Sequence, residues 1–209
     1  MKLLVLGATG ATGRQIVAQA LERAHEVVAF VRNPGKLAIS NDRLRVVTGS
    51  IPDDTRALTE AVRGQDAVVS ALGVGNLLKS SDLISRSMRA IVPAMESQEV
   101  RRLLFVSAFG VGETRRDVPL LPRIAQRLLL ADVFADKEAG EDYLRRSSLD
   151  WTLIHPAILT NGPKTAKYRV GERLELHGLP KISRADVADF VLSQLEDATY
   201  LRKEVLISN

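Results

Sequence analysis

Leu3-Leu4-Val5-Leu6-Gly7-Ala8-Thr9-Gly10-Ala11-Thr12-Gly13 is an apolar run that breaks into three glycines spaced by three and then continues at helical spacing. Each glycine has a physical task. Gly7 permits the tight turn off a strand, Gly10 lets main chain approach a pyrophosphate, and Gly13 lets the following helix pack close to the sheet. With Thr9, Ala11 and Thr12 the loop brings the helix N-terminus, with its unpaired amide hydrogens, to the phosphates. A glycine triplet alone is weak; one that follows a strand and opens a helix predicts a dinucleotide site.

Outward from that loop the pattern repeats. Short runs at Leu3 to Leu6, Val27 to Val31, Leu44 to Thr48, Ala67 to Ala71, Leu103 to Ser107, Trp151 to His155 and Val205 to Ile207 read as seven strands. Between them, Thr12 to Ala24, Asp54 to Val62, Ser81 to Gln98, Leu121 to Ser147 and Arg184 to Leu195 read as helices. Alternation of this kind makes parallel βαβ units. The expected fold is therefore α/β, a Rossmann-type doubly wound parallel sheet within one domain spanning residues 1–209. Asp53-Asp54 and Ser80-Ser81 are expected N-caps, and Gly64 an expected helix C-terminus. Pro93 inside a helix predicts a bend or an early end. Tyr168 to Val170, Gly171-Glu172 and Arg173 to Glu175 read as a tight hairpin, within a small substrate-side lobe at about residues 156–183 over the sheet edge.

Composition narrows the classes. The 209 residues are 45% hydrophobic and 26% charged, a globular balance, but only 4% aromatic, so the core must rest on aliphatic side chains. Cysteine is absent, which removes disulfides, thiol nucleophiles and cysteine-held metals; His25, His155 and His177 are too scattered to predict a metal site. The net charge of +4 comes from 29 basic and 25 acidic residues, interleaved, with Arg101-Arg102, Arg115-Arg116 and Arg145-Arg146 far apart. That is a solvated surface and not a nucleic-acid patch. The apolar run before Gly7 is too short for a leader, and no stretch suggests a membrane span, so a cytoplasmic protein is expected.

The end of the second strand selects the cofactor. Enzymes preferring NAD place Asp or Glu there for the ribose 2′-hydroxyl. This chain has Val31-Arg32-Asn33, with Lys36 following. A guanidinium can grip a 2′-phosphate through two charge-assisted hydrogen bonds, so NADP(H) is expected over NAD(H).

Gly7 to Gly13, Phe30-Val31-Arg32-Asn33-Pro34, Val69 to Gly73, Phe105-Val106-Ser107-Ala108-Phe109, Leu149 to Thr152 and Ile182 to Ala188 together resemble the atypical short-chain dehydrogenase/reductases. Within that family the likeness is to the NAD(P)H-binding flavin reductase/biliverdin-IXβ reductase-like and NmrA-like proteins. It implies that Gly49, Ser50 and Ile51 border the adenine, with Ser50 where many relatives carry Asp. It further implies that Ala71, Leu72 and Gly73 line the ribose, and that Ser107 sits beside the nicotinamide. Many members of the superfamily pair a Tyr with a Lys one helical turn later. Lys137 matches the Lys, but Val133 stands at the Tyr position. Tyr143 is six residues past Lys137 and falls on another face of the helix.

Without the usual acid, an isolated carbonyl is a poor substrate, because a positioned acid or base typically contributes about 10²–10⁴-fold. A flavin, quinone or tetrapyrrole spreads the incoming charge over its own conjugated system. The expected function is an NADPH-dependent reductase of such a small-molecule acceptor, with Ser107, Lys137 and His155 the candidate catalytic residues. Imidazole suits proton transfer near neutral pH, which is why His155 belongs in that set. Two other readings remain: an NmrA-like sensor of NADP(H) with a protein partner, and a sugar-nucleotide epimerase or dehydratase.

Overall fold

In the computed structural model, residues 1–73, 82–111, 131–176 and 178–209 are described. Among them the strands are β1 (Lys2–Leu6), β2 (Glu26–Val31), β3 (Leu44–Thr48), β4 (Ala67–Ser70), β5 (Arg102–Val106), β6 (Asp150–Pro156), β7 (Ile158–Thr160), β8 (Arg169–Gly171), β9 (Lys181–Ser183) and β10 (Lys203–Ser208). The helices are α1 (Ala11–Glu22), α2 (Thr55–Val62), α3 (Leu83–Ser97), α4 (Ala131–Arg145) and α5 (Arg184–Glu196). Eight strands form one sheet in the order β3-β2-β1-β4-β5-β6-β10-β8, parallel except for β8; β7 and β9 pair separately.

Aliphatic runs become central strands here because helices cover both faces of the sheet. Leu3 and Val5 of β1 pack among Ile16, Val17 and Ala20 of α1 and Val187 and Val191 of α5. Leu4 and Leu6 point the other way, into Leu58 and Val62 of α2, Met88, Ile91 and Met95 of α3 and Leu144 of α4. Strand order reverses between β1 and β4, which pair Leu3 with Ala67 and Leu6 with Ser70. At such a reversal the connections diverge and leave a crevice beyond the carboxyl ends. No helix among the described residues is long and apolar enough to cross a membrane.

All seven expected strands form, and the expected α/β doubly wound class is what the sheet shows. Several local expectations change. Asp54 stands at the N-cap of α2 but makes no side-chain cap; its Oδ2 instead accepts the Ser50 amide at 2.7 Å. Ser80-Ser81 and residues 121–130 lie outside the described residues, as do Arg115-Arg116 and His177. Pro93 neither ends α3 nor shortens it, since the helix runs on to Ser97. Pro93 and Arg89 are both exposed, so the carbonyl that loses its helical partner lies on the watered face. Gly64, at φ +71°, does follow the end of α2.

The hairpin is absent. Residues 169–171 pair antiparallel with Leu206, Ile207 and Ser208 of β10, while 173–175 form no strand. The free edge of β10 takes the segment instead, against a strand whose Leu206, Ile207 and Ser208 are buried. The loop before β8 is tied down by Asp186 of α5, which accepts the amides of Thr165 and Ala166 at 2.7 and 2.8 Å and the Ser183 hydroxyl at 2.8 Å. These donors hold its carboxyl below the usual carboxylate range, against the upward push of desolvation.

Candidate active site

The glycine loop is built as its spacing requires. Gly7 has φ +79°, and a Cβ there would stand 2.6 Å from the Ala71 carbonyl oxygen. A Cβ on Gly13 would stand 2.1 Å from the Gly7 oxygen and 2.9 Å from Ala8 Cα, so the helix can come this close to the turn only without a side chain. Gly10 is the N-cap of α1 and has no side-chain cap, and the first helical bond runs from the Arg14 amide to its carbonyl at 2.9 Å. The amides of Ala11, Thr12 and Gly13 precede that bond and are available to an anion.

Beside the loop lies a cavity lined by Gly7, Thr9, Gly10, Phe30, Val31, Arg32, Lys36, Gly49, Ile51, Ala71, Leu72, Gly73 and Leu83. Ten of the expected cofactor residues, Gly49 included, therefore meet at one cavity, with two cations and no carboxylate among its lining. A Cβ on Gly49 would strike the Phe30 ring at 2.3 Å, so that glycine is needed where the ring closes the cavity. Ser50 is not part of this lining: its amide goes to Asp54, and its hydroxyl lies 3.4 Å from Asp53. The geometry suits a dinucleotide: unpaired amides for phosphates, a cradle that side chains would fill, and cations at the second strand.

Ser107 and Lys137 are not in that lining; they belong to a second group of residues around α4. Ser107 follows β5, anchored by its amide to the Ile154 carbonyl at 2.8 Å. Its hydroxyl donates to Oε1 of Glu141, and His155 Nε2 lies 3.1 Å from the same oxygen. Arg145 Nη2 donates to Glu141 Oε2 at 2.9 Å and Nε to Glu204 at 2.6 Å. Glu141 and His155 are fully buried. Burial alone would raise the Glu141 carboxyl, but the His155 and Ser107 hydrogen bonds and the Arg145 charge hold it below its ordinary value. Oxygens or nitrogens of Glu141, His155 and Glu204 all lie within 4.8 Å of one another, a spacing a metal ion could bridge. Arg145 already holds both carboxylates, so the group reads as a salt-bridged network.

Lys137 is buried one turn before Glu141, its ammonium 5.8 Å from the centre of the Phe105 ring. Desolvation pushes it down to about 8, against the raising influence of Glu141 and Asp136. Val133 is buried and offers no proton. Tyr143 packs under the Arg89 guanidinium, 5.2 Å from its ring centre.

Glu141 is the residue that sequence reasoning missed. The signal was present, since Val133, Lys137, Glu141 and Arg145 fall at successive i,i+4 positions on one helix face. Asp136 was missed as well. Its two oxygens accept the amides of Ile84 and Ser85 at 2.9 Å each, capping α3 from another helix. Gly140 allows that approach, because a Cβ there would already stand 3.0 Å from Ile84.

Sheet, glycine loop and cationic cavity together define a Rossmann-type protein with a dinucleotide-binding site. The family follows from comparison: a model described as NAD(P)H-binding matches residues 7–198, and the chain belongs to that family. It is 30% identical to YwnB of Bacillus subtilis (strain 168) over 94% of this chain and 92% of that protein. Among solved structures it superposes on ChuY, an anaerobillin reductase from Escherichia coli O157:H7, with TM-score 0.82 and 22% identity over 99% and 96% of the two chains. A short-chain dehydrogenase/reductase from Veillonella parvula DSM 2008 in complex with NADP gives TM-score 0.81 at 21% identity, over 100% and 94%. The last two likenesses show the fold.

Proposed function

We propose that the chain is an NADPH-preferring reductase whose small-molecule acceptor is conjugated, of the flavin, quinone or tetrapyrrole kind. The bound cofactor would supply a hydride from its nicotinamide ring. The amides of Ala11, Thr12 and Gly13 would hold its pyrophosphate, and Arg32 with Lys36 its 2′-phosphate, a charge-assisted contact worth roughly 1.5–3 kcal/mol. Lys137 would position the ribose, and Ser107 would orient the acceptor. His155 acts through Glu141 in this reading: it is fully buried, and Nε2 is already turned to that carboxylate.

One observation carries the reaction class. On α4, the turn that would present an acid carries buried Val133, and the hydroxyl of Ser107 is already given to a carboxylate. An acceptor that stores the incoming charge in its own π-system can use positioning without an enzyme acid, and positioning alone can supply much of the barrier reduction. ChuY, reducing anaerobillin, keeps tetrapyrroles among the candidates.

The test is steady NADPH oxidation over flavins, menadione and biliverdin beside aliphatic ketones, aldehydes and alcohols. Turnover with a conjugated acceptor and little with the others is expected, with NADPH bound more tightly than NADH. Fast, saturable ketone reduction would overturn the reading. So would tight NADPH binding with no turnover of any acceptor, which would favour a sensor with a protein partner.

A further inference from the structure

We propose that Ser107 meets the acceptor as a hydrogen-bond acceptor and not as a donor, so that the site selects conjugated molecules that carry a ring N–H. The inference rests on the reductase reading for its ligand class, but its own basis is the direction of one hydrogen bond.

A serine hydroxyl has one hydrogen and two lone pairs, and an ionised carboxylate can only accept. Ser107 Oγ therefore gives its hydrogen to Glu141 Oε1, and what it can still offer a ligand is a lone pair. Glu141 is fully buried and receives three donors: the Ser107 hydroxyl, His155 Nε2 at 3.1 Å and Arg145 Nη2 at 2.9 Å. That coordination keeps it charged, in agreement with its lowered pKa. Rotating the hydroxyl towards a ligand carbonyl would remove one donor from a buried carboxylate, where a lost partner is costly. The Ser107 amide is bonded to the Ile154 carbonyl at 2.8 Å, which anchors the main chain, and the bond to Glu141 is what holds the hydroxyl in its direction. A bare carbonyl, as in a quinone or ketone, would set two acceptors face to face. An imide or pyrrole N–H would complete the serine.

The nicotinamide carboxamide also carries N–H groups, and the experiment separates it from the acceptor. Binding of oxidised lumiflavin and of 3-methyllumiflavin, which lacks the ring N–H, is measured by fluorescence quenching with the NADP⁺-loaded protein. Binding of NADP⁺ is compared with that of its 3-acetylpyridine analogue. We expect the methylated flavin to bind about tenfold or more weakly, the scale of one hydrogen bond left unmade in a buried site. Ser107→Ala should erase the gap. Glu141→Gln, whose amide can donate to Ser107 and free the hydroxyl, should shrink or reverse it and strengthen menadione binding, an inversion that mere loss of packing would not produce. Were Glu141→Gln not to fold, the two flavins on the native chain and on Ser107→Ala would still decide.

Equal affinities for the two flavins, or no measurable affinity for either, overturn the proposal. So does a loss confined to the acetylpyridine analogue. A persistent gap in binding with no NADPH oxidation would leave the assignment standing while the reductase reading falls.

Discussion

The glycine loop and the network beneath α4 are made of different material. The loop presents main chain: amides at a helix end, with glycines at the two points where Cβ would meet backbone at 2.6 Å or less. Its geometry is written within seven consecutive residues. The network presents side chains, Ser107, Glu141, Arg145, His155 and Glu204, gathered from β6, α4, β10 and the end of β5. A phosphate site can rest on backbone because every residue carries an amide. Fixing the direction of a hydroxyl hydrogen requires particular groups, and those can be recruited from anywhere in the fold.

The comparison has consequences that can break it. Glu141→Leu should be the most damaging change, about 3–5 kcal/mol, because it leaves the buried Ser107 and His155 donors without their acceptor and takes from Arg145 one of the carboxylates that hold it. Urea unfolding would measure it, and a loss under 1 kcal/mol would mean that the network is not closed as described. Gly13→Ala comes next, at about 3 kcal/mol at the upper end of overpacking costs, since its Cβ would press on backbone and not on a movable side chain. Here cofactor affinity should fall together with stability, whereas Glu141→Leu should spare NADPH binding more than it spares the fold.

Lys137 gives a pH signature. Burial lowers its folded value to about 8 from an ordinary 10.5. Between those values the unfolded chain binds more protons than the folded one, so the stability of the cofactor-free protein should rise with pH across that window, by roughly 3 kcal/mol at most. The penalty is in full force below pH 8. Lys137→Met should flatten the rise, and an unchanged profile in that variant would remove the assignment. The smallest effect is expected at Arg32. Arg32→Ala should weaken NADPH by roughly 1.5–3 kcal/mol and NADH by little, read as the ratio of dissociation constants. An unchanged ratio would move the 2′-phosphate away from Arg32.

What was legible in the sequence follows the same division. The glycine loop, the alternation of strands and helices around it and the cation at the end of β2 could be read because each is a local pattern with a local cause. Lys137 and Val133 were placed by resemblance and a single helical turn. Glu141 was not, because nothing near it in sequence shows that Ser107 and His155 will converge on it from 34 and 14 residues away. The hairpin failed for a related reason: Gly171-Glu172 is a good turn, but the open side of β10 is a tertiary fact that no turn propensity contains. Asp54 was a sound cap whose carboxylate was claimed by the Ser50 amide. The three-residue strands β7 and β9 are too short to show any alternation.

The antiparallel seat of β8 bears on how copies of this chain avoid one another. A sheet edge exposes unpaired amides and carbonyls, which invite a strand from another molecule. On the β10 side three residues of β8 occupy the second half of that strand, and Lys203, at its start, is clasped to Glu172 at 2.7 Å just past β8. The opposite flank, β3, has no such cover among the described residues, and Val46 is 40% exposed there. Its neighbour Arg45 is exposed too, so an incoming strand would have to lie against a charge. One margin of the sheet ends in a strand of only three residues and the other in a charged one. Raising the salt concentration, which screens charge but not covered backbone, should therefore promote aggregation through β3 first.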